Sequence, residues 1–478
     1  MASDGDTRPG EVPMGQVGSL PVILAVAILA AAWVLLALDV PPVPTWFYVF
    51  AWYPTLVLLD AAAFRRDRAN SLLARPGAAL SLLAWSPVVW LVFEVFNFRL
   101  RNWYYVSLPG PLPERWAGIV LSFATVVPAI VLAERALAGS GVFATGRGPT
   151  VAVRGWELHA ATALGLAATV LVLVWPRGCF PLVWGIGWVL AEPVVYRRAP
   201  ALSLFRDLER GYWGRVGRLL LGGLGIGLLW ESYNHVARGR WIYTVPGLED
   251  LKLFEMPPLG FLGFPVFALE AWAMYGALCA LGVAVPAAGG AGRVRRGRAV
   301  VAGILAAAFA VGALAGMDHF TVSSTAPQAA ELRGLGAEGA ELARLRGMGA
   351  AHARALVAAG VTRVCDLPGR EPGALARALR AARPGPRPTE AEVRVWVRAA
   401  RRACAGNAQA ASAARQWRRR PRLQASSWRV PPLVDSTEPA RSVKLASAEG
   451  RPRVRPGAPA WGRASGGRGR TRAPGSRA

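Results

Sequence analysis

The sequence predicts an all-α membrane protein of about nine transmembrane helices, followed by a small soluble helical module and a disordered tail. Three observations predict this class. The chain of 478 residues is 53% hydrophobic. Apolar segments of about 20 residues recur through its first two thirds. The same polar residues also return in the same order in two successive parts of the chain, which indicates a duplicated four-helix unit.

Nine apolar segments are long enough to cross a hydrocarbon core of about 30 Å. The first is too long for a signal-peptide core and is followed by further spans, which indicates an uncleaved helix. Arginine-rich connections follow the second, sixth and eighth spans, so the positive-inside rule predicts a cytoplasmic amino terminus in a bacterial inner membrane. The predicted spans are 19–38, 46–64, 78–97, 116–138, 157–175, 179–196, 216–236, 258–284 and 299–317.

The duplication is predicted from matched residues roughly 135 positions apart. The first repeat is 19–138, the second is 157–284, and the ninth helix, 299–317, belongs to neither. Four helices are an even number, so both copies would share one membrane orientation and form a parallel repeat. The matches are Asp60 with Glu192, Glu94 with Glu231, Asn97 with Asn234, Trp103 with Trp241, Tyr105 with Tyr243, and Glu134 with Glu270.

Acidic residues inside a membrane are unfavourable by about 2.5–3.5 kcal/mol at mid-helix, so they usually face a protein interior or a wet cavity. Asp60, Glu134 and Glu192 lie near predicted cytoplasmic ends. They are either interfacial partners of nearby arginines or functional groups, and the sequence leaves both interpretations open. Three other acids lie deeper, and two of them have an amide one helical turn further on. The predicted catalytic residues are Glu94, Glu231, Glu270, Asn97 and Asn234.

A metal site is not predicted. His235 follows Glu231 by one helical turn, a spacing that can hold a metal, but Phe98 stands at the matching place in the first copy. A structural histidine is therefore favoured. The chain contains no HExxH motif, no paired ExxH motif and no aspartate-rich diphosphate-binding motif, and no cofactor is predicted.

Each Glu–Asn pair is followed by a Trp-x-Tyr element with neighbouring arginines. One interpretation is an aromatic belt with snorkelling arginines at the membrane surface. The repetition of the whole set favours a shared pocket, where a buried carboxyl could donate a proton and aromatic faces could stabilise a carbocation. The predicted substrate-binding residues are Trp103, Tyr105, Trp241, Tyr243, Arg101 and Arg238.

This arrangement resembles the small membrane-embedded lycopene cyclase domains and, more loosely, the membrane carotenoid hydratases. The match consists of Glu231, Trp241, Tyr243 and the segment "LFEMPPLGFLGFPVF", which contains Glu255. The family's Pro-x-Glu-Glu motif is replaced here by Glu255-Met-Pro-Pro, the first copy offers only Glu114 in "LPERW", and each repeat has four spans rather than three. The resemblance covers about fifty residues per copy and implies acid–base chemistry on an isoprenoid.

The net charge of +26 comes almost entirely from arginine, because the only lysines are Lys252 and Lys444. We attribute it to a GC-rich coding bias rather than to nucleic-acid binding. The four cysteines, Cys179, Cys279, Cys365 and Cys404, have no CxxC spacing, so neither a zinc site nor a disulfide framework is indicated.

Residues 330–404 are predicted to form a soluble helical module, and residues 405–478 a disordered arginine-rich tail. The segment 345–380 looks like a helix-hairpin-helix module, because Gly347 and Gly349 flank one apolar residue before an apolar-periodic helix. Such a turn exposes backbone N–H groups that can hold a phosphate, and Gly347 and Gly349 are the predicted phosphate contacts. A protein-contact module is the favoured alternative, because nine spans place the tail outside the cell.

Two classes of function follow. The first is a membrane enzyme that acts on a polyisoprenoid, carotenoid or other lipid by acid–base chemistry. The second is a non-enzymatic transporter or membrane scaffold, in which the acids carry protons or cations. The predicted partners are the lipid bilayer, a lipid substrate and a protein bound through the C-terminal module, and nucleic-acid binding ranks lowest.

Overall fold

The computed structural model describes residues 19–65, 71–246, 251–287, 294–325, 334–345, 347–381 and 388–419, with side chains described as far as residue 405. The predicted N-terminal tail, 1–18, lies outside the described residues. So does the predicted disordered tail from residue 420 onward.

The chain is mostly helical, and eight of its described helical segments are long and apolar enough to cross a membrane. These segments indicate a multi-pass membrane protein. Short 3-10 turns lie at Phe180–Leu182 and Pro258–Leu262. The helices of this part are α1 (Ser19–Ala37), α2 (Val43–Ala63), α3 (Pro76–Leu100), α4 (Leu112–Phe123), α5 (Val126–Gly139), α6 (Gly155–Val174), α7 (Pro176–Cys179), α8 (Val183–Arg198), α9 (Leu204–Glu209), α10 (Gly214–Val236), α11 (Gly263–Ala280) and α12 (Arg296–Phe320).

The seventh predicted span forms α10, but α10 is not among the eight apolar segments. Its glycines, its arginines and its polar end lower its mean hydropathy. Those glycines permit close packing: a Cβ on Gly223 would lie 2.7 Å from the Ala268 Cβ, and one on Gly227 would lie 2.2 Å from the Phe264 ring. Helix α10 is therefore packed tightly against α11, and it carries Glu231 and Asn234 at its buried end.

Helices α4 and α5 are separated by a break at Ala124–Thr125, and the backbone groups freed there are satisfied by Ser86 of α3. Its hydroxyl donates to the Phe123 carbonyl at 2.6 Å and accepts from the Val127 N–H at 3.0 Å. Backbone groups at membrane depth need such partners, because no water is present to replace them.

Among the described residues, two short strands add a small sheet to a mostly helical fold. Strand β1 (Trp103–Val106) follows α3, and strand β2 (Arg240–Tyr243) follows α10. They pair antiparallel, with Trp103 opposite Tyr243 and Tyr105 opposite Trp241. Their aromatic and β-branched residues favour a strand. The two Trp-x-Tyr elements are thus the two strands of one small sheet rather than separate loops.

The segment that follows α12 covers the other side of β1. The Tyr105 N–H donates to the Thr321 carbonyl at 2.8 Å, and the Ser323 N–H donates to the Tyr105 carbonyl at 2.9 Å. The chain therefore returns from its last apolar helix directly onto the sheet, and this return places the C-terminal module beside it.

The described residues of the C-terminal module form the helices α13 (Gly336–Ala343), α14 (Ala350–Ala358), α15 (Pro372–Ala381) and α16 (Glu390–Arg419). Its core is a separate cluster in which Leu342, Ala353, Leu356 and Trp396 are fully buried. The Trp396 indole donates to the Gly347 carbonyl at 2.7 Å, which ties α16 to the turn before α14. Helix α16 continues to Arg419, past residue 405, where the disordered tail was predicted to begin.

One prediction about the module is wrong. Cys365 and Cys404 form a disulfide, although their spacing indicated none. The bond joins the short turn Val364–Asp366 to α16. It could not be predicted because the two cysteines are 39 positions apart and become neighbours only when the module folds.

Candidate functional site

Glu94 of α3 is the centre of the first cluster under the sheet. Its side chain is fully buried. Oxygen Oε1 accepts hydrogen bonds from the Trp90 indole at 3.0 Å, the Trp103 indole at 3.0 Å and the Tyr105 hydroxyl at 2.5 Å. Two of these donors belong to β1, so the carboxyl group holds that strand onto α3.

Glu231 of α10 occupies the corresponding place under β2. It is also fully buried, and its Oε1 accepts one hydrogen bond, from the Tyr243 hydroxyl at 3.0 Å. The Oε2 atoms of Glu94 and Glu231 have no hydrogen-bond partner among the described residues. A buried charge without a cation is unfavourable, and the described residues provide no ion pair to either group, so each carboxyl is suited to carry a proton.

The two asparagines, which were predicted to be catalytic, both bond to backbone groups of the strands or of the residues beside them. The Asn97 amide donates to the Trp103 carbonyl at 2.8 Å, and its oxygen accepts from the Asn102 N–H at 2.9 Å. The Asn234 amide donates to the Trp241 carbonyl and accepts from the Trp241 N–H, both at 2.9 Å. Both ends of each amide are therefore occupied by strand backbone, and neither group is available to a substrate.

An aromatic cavity of about 70 Å³ lies between the sheet and the helices. It is larger than the roughly 10–15 Å³ that one water molecule needs, and its walls are almost entirely apolar. The four predicted aromatic residues, Trp103, Tyr105, Trp241 and Tyr243, all line it. The remaining lining residues are Thr45, Trp46, Tyr48, Trp90, Leu108, Ile119, Ser122, Phe123, Val126, Trp184, Trp230, Gly239, Arg240 and Phe264.

Aromatic rings connect the two carboxyl clusters around this cavity. The centroid of the Phe267 ring lies 5.4 Å from that of Trp90 and 5.9 Å from that of Trp230. Trp90 bonds to Glu94, and Trp230 directly precedes Glu231 in the sequence. Trp184 stacks on Trp103 at 6.3 Å. Trp90, Trp184 and Trp230 were not predicted as site residues. The available signal was their position: Trp90 precedes Glu94 by one turn, and Trp230 directly precedes Glu231.

Glu270 lies elsewhere. It is buried in α11 and accepts a hydrogen bond from the Gly187 N–H of α8, and it does not line the aromatic cavity. The close contact is possible because residue 187 is glycine: a Cβ there would lie 2.7 Å from the Glu270 Oε1. Among the described residues, Glu270 therefore shares no hydrogen-bond partner with Glu94 or Glu231.

The two predicted substrate-binding arginines point away from the cavity. Arg101 donates to the Phe320 carbonyl at 2.5 Å and stacks over the Phe320 ring. Arg238 forms an exposed ion pair with Asp39. Arg240, which was not in the predicted set, does line the cavity. Its Nη1 atom lies 4.0 Å from the Glu255 Oε1.

The other acids support the fold. Asp60 accepts from the Ser71 hydroxyl at 2.5 Å and from the Leu72 N–H at 2.8 Å. Glu192 accepts from the Ser203 hydroxyl and from the Phe205 N–H at 2.9 Å. Glu134 forms a buried ion pair with Arg218 at 2.8 Å. Of these three acids, only Glu134 has an arginine as its main partner among the described residues, as the ion-pair interpretation expects.

His235 is partly exposed, and its Nδ1 atom lies 4.0 Å from the Glu255 Oε1. Within the described ranges, no three His, Cys, Asp or Glu side chains come together as a metal site would require. Glu114, the other residue of the resemblance, accepts from the Trp46 indole at 3.1 Å. Glu255 and Glu114 thus have different partners and do not form a matched pair.

The predicted phosphate contacts are covered by protein. A Cβ on Gly347 would lie 2.7 Å from the Tyr104 hydroxyl, and one on Gly349 would lie 2.2 Å from the Ser324 Cβ. Both glycines are buried. The turn packs against the outer face of the sheet, so its N–H groups cannot reach an external phosphate, and the protein-contact alternative describes it better.

Comparison with known proteins finds no match to this chain among protein-family models, curated proteins or solved structures.

Proposed function

We propose that this chain is a membrane-embedded acid–base enzyme that acts on a polyisoprenoid, carotenoid or other unsaturated lipid within the bilayer. One observation carries the proposal: two buried carboxyls, Glu94 and Glu231, each bond to a tyrosine that lines the same aromatic cavity. Cavities for small molecules are mostly apolar with a few convergent polar groups, and this cavity has that composition.

The chemistry follows from the groups present. In the acid step the carboxyl O–H turns to donate to the tyrosine oxygen. The tyrosine gives its own proton to one carbon of a C=C bond and takes the carboxyl proton in its place, and the π electrons of that bond form the new C–H bond. The neighbouring carbon becomes a cation, which the faces of Trp90, Trp103, Trp184 and Trp230 stabilise. A second C=C bond attacks the cation to close a ring and leaves a new cation on its far carbon; with or without ring closure, a C–H adjacent to the cation then returns its proton to the carboxylate and forms a new C=C bond. No oxidant or reductant is needed.

The proposed architecture is a parallel duplication with nine spans, α10 being the seventh. It is supported by matched pairs of contacts: Asp60 with Ser71 and Glu192 with Ser203, and Asn97 and Asn234 each bound to strand backbone. The sheet pairs the Trp of each element with the Tyr of the other, as a twofold relation between the copies would require.

The proposed topology places the amino terminus in the cytoplasm of a bacterial cell and the C-terminal module outside the inner membrane. The disulfide between Cys365 and Cys404 supports this orientation, because disulfides persist in oxidising compartments and are rare in the cytosol. A reporter fused after residue 419 tests it, and a cytoplasmic signal contradicts nine spans.

A structural role is the second candidate, as in a transporter or scaffold. It is favoured by the fact that every hydrogen bond to Glu94 and Glu231 comes from α3 or from the sheet. In that case the carboxyls hold the sheet in place, and their acidity is irrelevant.

Glutamine substitutions separate the two candidates, because an amide oxygen still accepts the tyrosine hydrogen bond but the side chain no longer delivers a proton. We expect the native chain to form a new product in hosts that accumulate polyprenes or carotenoids. Glu231→Gln is expected to lower its yield at least about 100-fold, as removing a general acid does. Glu270→Gln is the matched control, since Glu270 is equally buried but bonds to the Gly187 N–H rather than to a residue that lines the cavity.

Product analysis by mass spectrometry reports the outcome, with thermal unfolding of each variant as the folding control. Undiminished product in a folded Glu231→Gln variant contradicts the acid role, and absence of any product across these hosts removes the enzyme hypothesis. Proton-coupled uptake in vesicles that is lost in Glu270→Gln supports a transporter instead.

A further inference from the structure

A second cavity, of about 300 Å³, lies on the opposite side of the sheet from the aromatic cavity. The inner face of β2 presents Trp241 and Tyr243 to the first cavity, and Ile242 between them faces the second. The far wall is the C-terminal module. The basic cavity, as we call it, therefore exists only because the module packs against the sheet.

Basic side chains surround this cavity. Arg398 and Arg402 project from α16 one turn apart, together with Val395 and Ala399 on the same helix face. Arg344 enters from the end of α13, and Lys252 enters from the connection after β2. The Lys252 ammonium donates to the Tyr243 carbonyl at 2.6 Å, so its charge is fixed at the edge of the sheet.

One acid lines the cavity, and a cation already stands beside it. Glu255 is buried, and its Oε1 lies 4.0 Å from the Arg240 Nη1. The side chains of Arg344 and Arg402 form no hydrogen bond or ion pair with the described residues. Like charges that line one cavity repel one another, so an anion between them would stabilise the arrangement.

We infer that the basic cavity binds a phosphate group. Arginine offers paired N–H donors that match phosphate oxygens, and three arginines converge here. The volume is at the lower end of the roughly 300–1,000 Å³ of small-molecule pockets. A phosphate group fills part of it, and Ile242, Leu345 and Val395 provide an apolar wall for a carbon chain attached to that group.

The position of the cavity leaves two sources for the phosphate. Strands β1 and β2 directly follow the ends of α3 and α10, so in the proposed topology the cavity lies at the depth of lipid headgroups. The phosphate therefore belongs either to an anionic membrane lipid or to a free phosphate or phosphate ester. This inference does not depend on the proposed chemistry of the aromatic cavity.

The test uses the full chain and two matched double variants. Arg344→Gln with Arg402→Gln removes two cavity charges. Arg354→Gln with Arg370→Gln removes the same charge from exposed positions of the module that lie outside the cavity. Arg344→Lys with Arg402→Lys keeps the charge but removes the paired donors. Thermal unfolding and protection of Cys365 and Cys404 from thiol labelling show that each variant is folded.

Binding of inorganic phosphate is measured by titration calorimetry in detergent. Retention of phosphatidylglycerol against phosphatidylcholine is measured by native mass spectrometry from nanodiscs. We expect the native chain to bind at least one probe, the cavity glutamine variant to bind it at least ten-fold more weakly, and the lysine variant to fall between them.

Loss of phosphatidylglycerol alone identifies a lipid headgroup, and loss of inorganic phosphate identifies a soluble source. The inference is overturned if the native chain binds neither probe, or if the exposed-position variant weakens binding as much as the cavity variant.

Discussion

The two carboxyl clusters under the sheet occupy equivalent places but differ in how firmly they are held. Glu94 accepts three hydrogen bonds, from Trp90, Trp103 and Tyr105. Glu231 accepts one, from Tyr243. A group that bonds to three donors is fixed, whereas a group with one donor has oxygen lone pairs left for a ligand or a proton. The comparison indicates that the first cluster anchors the sheet and that the second is the better candidate for chemistry.

The largest expected difference concerns removal of each acid. Leucine replaces the carboxyl at similar volume and leaves the donors unsatisfied, at about 1–3 kcal/mol for each buried donor. Glu94→Leu is expected to lower the free energy of unfolding by at least about 3 kcal/mol, and Glu231→Leu by about 1–3 kcal/mol. Thermal unfolding in one detergent measures both. Equal losses would remove the distinction between an anchoring and a reactive carboxyl.

A smaller difference is expected between the two amides. Asn97 makes hydrogen bonds to Asn102 and Trp103, whereas Asn234 bonds only to Trp241. Each Asn→Ala change is expected to destabilise its strand by about 2 kcal/mol, with the larger effect for Asn97. Hydrogen exchange of the β1 and β2 amides measures the two separately. Faster exchange in both strands from either substitution would show that the sheet opens as one unit.

The smallest effect concerns the contact between the sheet and the module. Gly347→Ala forces a side chain into positive φ, at about 1–2 kcal/mol, and brings it against Tyr104 of β1 and Ile242 of β2. Gly360→Ala is the matched control, because Gly360 has nearly the same φ and no neighbour within 4 Å of the added carbon. Greater sensitivity of the module to protease in Gly347→Ala than in Gly360→Ala measures the docking contact, and equal sensitivity contradicts it.

Much of this arrangement was predictable from spacing. In each copy the acid, Glu94 or Glu231, lies just before the end of a helix and the Trp-x-Tyr element lies just after it. A shared pocket could therefore be inferred from either copy. The pairing of the two elements with each other could not be predicted, because a strand of four residues is too short for its sequence pattern to identify the strand it pairs with. No sequence pattern distinguished Glu270 from the other deep acids, because its hydrogen bond with the Gly187 N–H depends on residue 187 being a glycine.

The module shows the same limit. Its helical character was predicted, and Trp396 and Val397 of α16 are buried in its core. Its disulfide and the burial of Gly347 and Gly349 depend on contacts between distant segments, which local patterns do not record. Arg101 and Arg238 were misplaced for a related reason: both lie at helix ends, where the backbone turn decides the direction of a long side chain.

The segment Thr321–Thr325 makes the two strands unequal. Strand β1 has a backbone neighbour on each side, β2 and this segment, whereas β2 pairs only with β1 among the described residues. An interior strand moves only if the hydrogen bonds along both of its edges break, whereas an edge strand moves if the hydrogen bonds along one edge break. The wall of the aromatic cavity that carries Tyr243 is therefore the compliant one. A ligand too large for the resting volume would gain its room by displacing β2, while β1 keeps Glu94 in register.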